Sequence, residues 1–321
     1  MKKLLPLAAG TLVSALLLWL AFRNADWRAM GAVFAGVRAA PAALVLLTVS
    51  AELAIRGAKW ALLLRPARKV RTWDAARLET AALALNNLLP LRIGELARAA
   101  YGAEMFDVSL LTVLSTVVVE KLLDMASLLA LSAAAAAMLG IAAGLPGGWR
   151  TWTGLGAAAL LLLALMRRSL PRRYPRLRQA LAHLKLGLKA LRSPLNAAVL
   201  FLLAALQWFM NALNYYWLAK AFNLDGASSL AKSVLLSFTG AAASSAPGMP
   251  GSFGSTELAV SSVLSGWGVA KAPALAFAAA AHLLPYLIIT AAGLFFIYDM
   301  GSSLMSVWTR FSAGKAEEAG S

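Results

Sequence analysis

Cysteine is absent from this 321-residue chain, which excludes disulfide frameworks, thiolate metal sites, iron–sulfur centres and thiol catalysis. His183 and His282 are its two histidines, too few for a histidine-based metal centre, and no cofactor is expected. Charge is scarce, at 14% of residues, against roughly a quarter in a soluble domain. Acidic charge is scarcer still: 14 Asp+Glu stand against 30 Lys+Arg, for a formal net charge of +16. The basic residues gather in short stretches between apolar runs and not on a separate basic domain, so nucleic acid is not the expected partner.

What is abundant is apolar: 60% of residues are hydrophobic. A helix crosses the ~30 Å hydrocarbon core with about 20 mostly apolar residues, and several such runs are present. They are apolar all round and do not alternate, which argues against a transmembrane barrel. The expected fold is an all-α polytopic integral membrane protein. Spans are expected at Leu4 to Phe22, Pro41 to Leu64, Leu110 to Leu139, Trp152 to Met166, Leu195 to Ala221 and Ala272 to Met300. The first has the basic start of a secretory signal but no small-x-small cleavage site after it, so it reads as an uncleaved span.

Two stretches, 78–107 and 230–271, are mostly apolar yet broken by Pro, Gly and a carboxylate. That composition suits discontinuous or re-entrant helices lining a protein-walled cavity. The positive-inside rule places Arg65 to Arg77 and the basic loop Arg167 to Arg192 in the cytoplasm, and parity then puts both termini there, in a plasma or inner membrane. The same parity makes residues 1–150 and 151–300 two repeats of opposite orientation, followed by a cytoplasmic tail at 301–321. Internal echoes agree: Pro90 precedes Gly94 as Pro250 precedes Gly254, and Glu95 precedes Glu120 by 25 as Glu257 precedes His282. In the basic loop, Leu177, Leu181, Leu184, Leu188 and Leu191 recur at helical spacing, the pattern of an interfacial helix on an anionic leaflet.

Chemistry is expected in the broken segments. Asn86, Asn87, Pro90, Arg92, Gly94, Glu95 and Arg98 form the first; Pro90 removes a backbone donor, and the freed groups need Asn side chains, water or a ligand. Glu95 and Arg98 lie one turn apart and can pair; the alternative is a solvated cytoplasmic turn. Glu120, Lys121 and Asp124 follow inside a span, where charge is costly enough to mark function. The second segment carries Pro247, Gly248, Pro250, Gly251 and Gly254 ahead of Glu257; its backbone amides suit an anionic headgroup, and Ser255 is placed to cap a helix. No Gly-Lys-Ser/Thr follows, so nucleotide hydrolysis has no support. His282, with Tyr286 one turn on, is either a proton relay or a satisfied structural histidine.

N-N-x-L-P-x-R-x-G-E-x-x-R at Asn86 to Arg98, E-K-x-x-D at Glu120 to Asp124 and the Pro/Gly segment ending in Glu257 together resemble the flippase-like transmembrane domain of lysylphosphatidylglycerol synthases. Lys121 stands where that family commonly has Arg, and Pro250 interrupts its usual Pro-Gly-Gly. The resemblance implies movement of a lipid between leaflets. Relatives that stand alone are associated with glycolipid, isoprenoid or hopanoid pathways, which widens the substrate range. Only residues 301–321 follow the last span, so the soluble synthase domain and aminoacyl transfer are not expected. The expected partners are membrane lipids, with a headgroup held by Asn86, Asn87, Arg92, Arg98, Lys121 and the glycine backbone. Glu95, Glu120, Asp124 and Glu257 would balance those cations or exchange protons. Two rivals remain: an integral-membrane transferase using Glu95, Glu120 and Asp124 as acid or base groups, and a scaffold for lipid-pathway enzymes.

Overall fold

The computed structural model describes residues 15–89, 93–141, 187–245 and 250–301. Helices and short 3-10 turns make up the regular structure among these residues. Residues 15–22 are helical, followed by α1 (Trp27–Ala35), capped by Asp26, which accepts from the Ala29 amide at 2.9 Å. Then come α2 (Ala39–Leu64), α3 (Thr72–Leu88), α4 (Ile93–Phe106) and α5 (Leu110–Met138). After the 3-10 turn Lys189–Leu191 follow α6 (Pro194–Ala221), α7 (Leu230–Ser245), the turn Pro250–Ser252, α8 (Ser255–Gly266) and α9 (Lys271–Asp299).

Helices α2, α6 and α9 are long and apolar enough to cross a membrane, at 26, 28 and 29 residues. At about 1.5 Å per residue each exceeds the ~30 Å core and has length to spare for tilt. Helix α5 also has 29 residues but carries Glu120, Lys121 and Asp124. Leu46, Leu47, Leu202, Leu206, Leu287 and Phe295 are exposed on the long helices, as lipid contact requires and as water would penalise. The expected first span is described only over 15–22, and that at Trp152 to Met166 lies outside the described residues, as does the tail at 302–321.

Both broken stretches fold as helical hairpins. Leu89 leaves α3 in extended geometry (φ −108°, ψ 144°), the conformation imposed on a residue that precedes proline. Helix α4 then packs back along α3, and a Cβ on Gly94 would strike the Ala82 carbonyl, so only glycine permits this approach. Helices α7 and α8 pack together in the same way. Gly251 and Gly254 take φ of +74° and +88° in the connection, and a Cβ on Gly254 would meet backbone atoms of Leu17 and Leu18.

The element lengths recur: 26, 17, 14 and 29 residues in α2 to α5, then 28, 16, 12 and 29 in α6 to α9. Contacts recur too, for α2 packs along α6, α3 against α9, and α7 against α5. One large buried cluster, including Val45, Val49, Leu218 and Phe277, ties α2 to α6 and α9. A second, around Trp60, Phe106, Val113 and Leu200, joins α2, α4, α5 and α6. Leu188 and Leu191 are buried in that second cluster, so the described end of the basic loop packs into protein and not onto a leaflet; Leu177, Leu181 and Leu184 lie outside the described residues.

Candidate functional site

Seven charged side chains from four helices form one buried chain of alternating sign. Glu52 accepts from Arg56 at 2.9 Å, and Arg56 lies 3.8 Å from Glu79. Glu79 pairs with Arg98, which donates to Glu120 at 2.9 Å. Lys59 is 3.3 Å from Glu120 and pairs with Asp124. No member has a side chain more than 12% exposed. Helical spacing explains the convergence: 52, 56 and 59 share one face of α2, and 120 and 124 share one face of α5. Neutral groups complete it. Gln207 Oε1 accepts from Lys59 at 2.5 Å, giving that ammonium a second acceptor beside Asp124, and Asn211 donates to Glu52 at 3.3 Å. Arg98 also lies 4.8 Å from the centroid of Trp60, whose indole donates to Thr116 at 3.1 Å.

The second hairpin is held differently. Glu257 reaches back to accept from the Gly254 amide at 2.6 Å, capping α8, while its other oxygen meets His282 Nδ1 at 2.7 Å. Phe253 sits between His282 and Tyr286, with ring centroids 4.9 and 5.2 Å away. Tyr286 is where the hairpins meet. Its hydroxyl donates to the Asn87 carbonyl at 3.2 Å, Asn87 donates to Thr290 at 2.9 Å, and a Cβ on Gly251 would lie 2.9 Å from the Tyr286 ring.

A cavity of about 1040 Å³ lies between the two hairpins. Asn86, Asn87 and Glu95 line it from the first hairpin, and Gly251 and Ser252 from the second. Lys121 and Asp124 come from α5, Trp208, Asn211 and Asn214 from α6, and His282 and Tyr286 from α9. Its charged groups are partnered: Arg56 by Glu52, Asp124 by Lys59, and Lys121 by Glu95 at 2.8 Å. The last pair is the most exposed, at 43% and 31%, and therefore the weakest held. Among the described residues no group of three His, Asp or Glu is arranged to hold a metal ion.

Several expectations are corrected. Arg98 does not pair with Glu95, nor does it face the cavity; Glu79 and Glu120 bind it in the interior, and Glu95 turns to Lys121. Glu120 is likewise enclosed, between Arg98 and Lys59. Ser255 does not cap α8; Gly254 occupies the cap position and the Ser255 hydroxyl donates to the Ser252 carbonyl at 3.0 Å. Gly94 and Gly254 stand where an added Cβ would strike backbone of a neighbouring segment. Pro90, Arg92, Pro247 and Gly248 lie outside the described residues, and Pro250 begins the 3-10 turn. Glu52, Arg56, Lys59, Glu79, Gln207, Asn211 and Asn214 are not among the residues that the sequence singles out. A signal was present: 52, 56, 59 and 207, 211, 214 follow the same i, i+4, i+7 spacing on two apolar helices.

No curated protein and no solved structure matches the chain. The family model described as the lysylphosphatidylglycerol synthase TM region matches residues 7–293, nearly the whole length. With long apolar helices, two glycine-dependent hairpins and ionisable groups enclosed between them, the chain is an integral membrane protein and belongs to the lysylphosphatidylglycerol synthase TM region family, a family tied to lipid metabolism.

Proposed function

We propose that the protein is a lipid transporter and not an enzyme: a polar headgroup crosses through the chamber between the two hairpins while its acyl chains stay in the bilayer. The observation that carries this reading is the 1040 Å³ cavity, whose wall takes polar side chains from both hairpins and from α5, α6 and α9. Polar and charged side chains facing an otherwise apolar space of that size in a membrane protein are expensive to maintain and are the expected form of a substrate path. The recurring element lengths and the reciprocal packing of α3 on α9 and α7 on α5 support two inverted repeats that rock against one another. Both basic loops and both termini are then cytoplasmic, and the Lys121–Glu95 pair at the rim is the one that opens to meet the headgroup.

The test is leaflet exchange of fluorescent-headgroup lipids in vesicles holding the full chain, with Ala241→Trp as the variant that fills the chamber, since Ala241 lines it from α7. Wild-type protein accelerates exchange, Ala241→Trp slows it at least about tenfold while remaining folded, and the recovered lipid is chemically unchanged. Exchange no faster than in protein-free vesicles refutes transport. A chemically modified lipid instead indicates a transferase.

A further inference from the structure

The alternating chain has an odd number of members, and both its ends are carboxylates. In order it runs Glu52, Arg56, Glu79, Arg98, Glu120, Lys59, Asp124, so four acids face three bases among side chains almost wholly withdrawn from solvent. Among the described residues one negative charge is left without a counter-ion. Inside a membrane protein such a charge is neutralised in preference to being buried bare. Among the described residues the surrounding elements supply no spare cation. On α5 and α4, Lys121 and Glu95 close on each other at 2.8 Å. Across the cavity, His282 of α9 and Glu257 of α8 do the same at 2.7 Å. Helix α6 offers Gln207, Asn211, Asn214 and Tyr215, and α7 offers Ser237, which donates to Asn211; none of these carries positive charge.

The chain also reaches the chamber. Asp124 and Arg56 both line it, and Glu52 is reached through Asn211, which lines it too. Glu79 and Glu120, in the middle, each lie between two cations and have no comparable access. We infer that the two terminal carboxylates of this chain, Asp124 and Glu52, share a proton-binding site: one proton taken from the chamber completes the charge balance, and its release and uptake couple headgroup movement to the proton gradient. This rests on the transport reading for the coupling but not for the site.

Two measurements on the full chain separate them. The first is infrared difference spectroscopy of detergent-purified protein. Wild type at neutral pH shows the C=O stretch of a protonated carboxylic acid, sensitive to deuterium exchange and lost on raising the pH; either Asp124→Asn or Glu52→Gln removes it. Absence of that band in wild type, or its survival in both variants, overturns the site. The second is leaflet exchange under an imposed pH gradient. The wild-type rate changes at least about threefold on reversing the gradient, and the ratio falls to one in Asp124→Asn. Exchange that ignores the gradient overturns the coupling and leaves transport standing, whereas no exchange at all removes transport while the infrared band still decides the site.

Discussion

Lys59→Met is the perturbation that probes the buried chain most sharply. Lys59 is fully buried; its ammonium donates to Asp124 and to Gln207 at 2.5 Å and lies 3.3 Å from Glu120. Methionine fills a similar volume, so little packing is lost. What is lost is the cation paired with Asp124 and one of the cations around Glu120, which keeps Arg98 at 2.9 Å. Removing one partner of a buried pair typically costs about 3–5 kcal/mol, because the other charge stays behind. Removing both together is far milder, so Lys59→Met with Asp124→Leu should destabilise by at least about 2 kcal/mol less than the sum of the single changes. The assay is unfolding by sodium dodecyl sulfate in mixed micelles, followed by circular dichroism. A single Lys59→Met within about 1 kcal/mol of wild type, or strictly additive effects in the cycle, refutes the view that these charges are dry and mutually dependent.

Other outcomes follow from local geometry. Gly94→Ala drives a methyl into the Ala82 carbonyl and should cost about 1–3 kcal/mol. In contrast, Gly31→Ala, in helix α1 with open space around it, should be neutral or stabilising by up to about 1 kcal/mol; thermal unfolding compares the two. Tyr286→Phe deletes the hydroxyl that links α9 to Asn87 and should lower stability by about 1 kcal/mol, with a larger proportional loss of leaflet exchange because it uncouples the hairpin tips. Lys121→Gln removes a half-exposed cation and should change stability by less than about 1 kcal/mol in the same unfolding assay; a larger loss means that its pair with Glu95 is structural and not a headgroup contact.

The fold was legible where a single physical constraint dominates the local sequence. Long apolar runs gave α2, α6 and α9, and Pro90 after Leu89 announced the break that ends α3. The carboxylates Glu95 and Glu257, each just past a break, both find an ionisable partner on the long helix that follows: Lys121 and His282. Partner choice was not legible. Glu95 and Arg98 look paired on a helical wheel, but α4 packs against both α3 and α5, and this delivers Glu79 and Glu120 to Arg98 instead. Likewise the apolar spacing of Leu188 and Leu191 states that they are covered without stating by what. Protein covers them here. The polar stripe Gln207, Asn211 and Asn214 escaped notice because amides lower the hydropathy of a 28-residue span too little to interrupt it.

The lack of cysteine makes the decisive measurement clean. With Asn87→Cys and Ser252→Cys placed on the two hairpin tips, a cleavable bis-thiosulfonate can bridge them in vesicles while leaflet exchange is recorded. Exchange should stop on bridging and return on reduction; exchange that continues unchanged with every chain bridged would show that lipid does not travel between the tips.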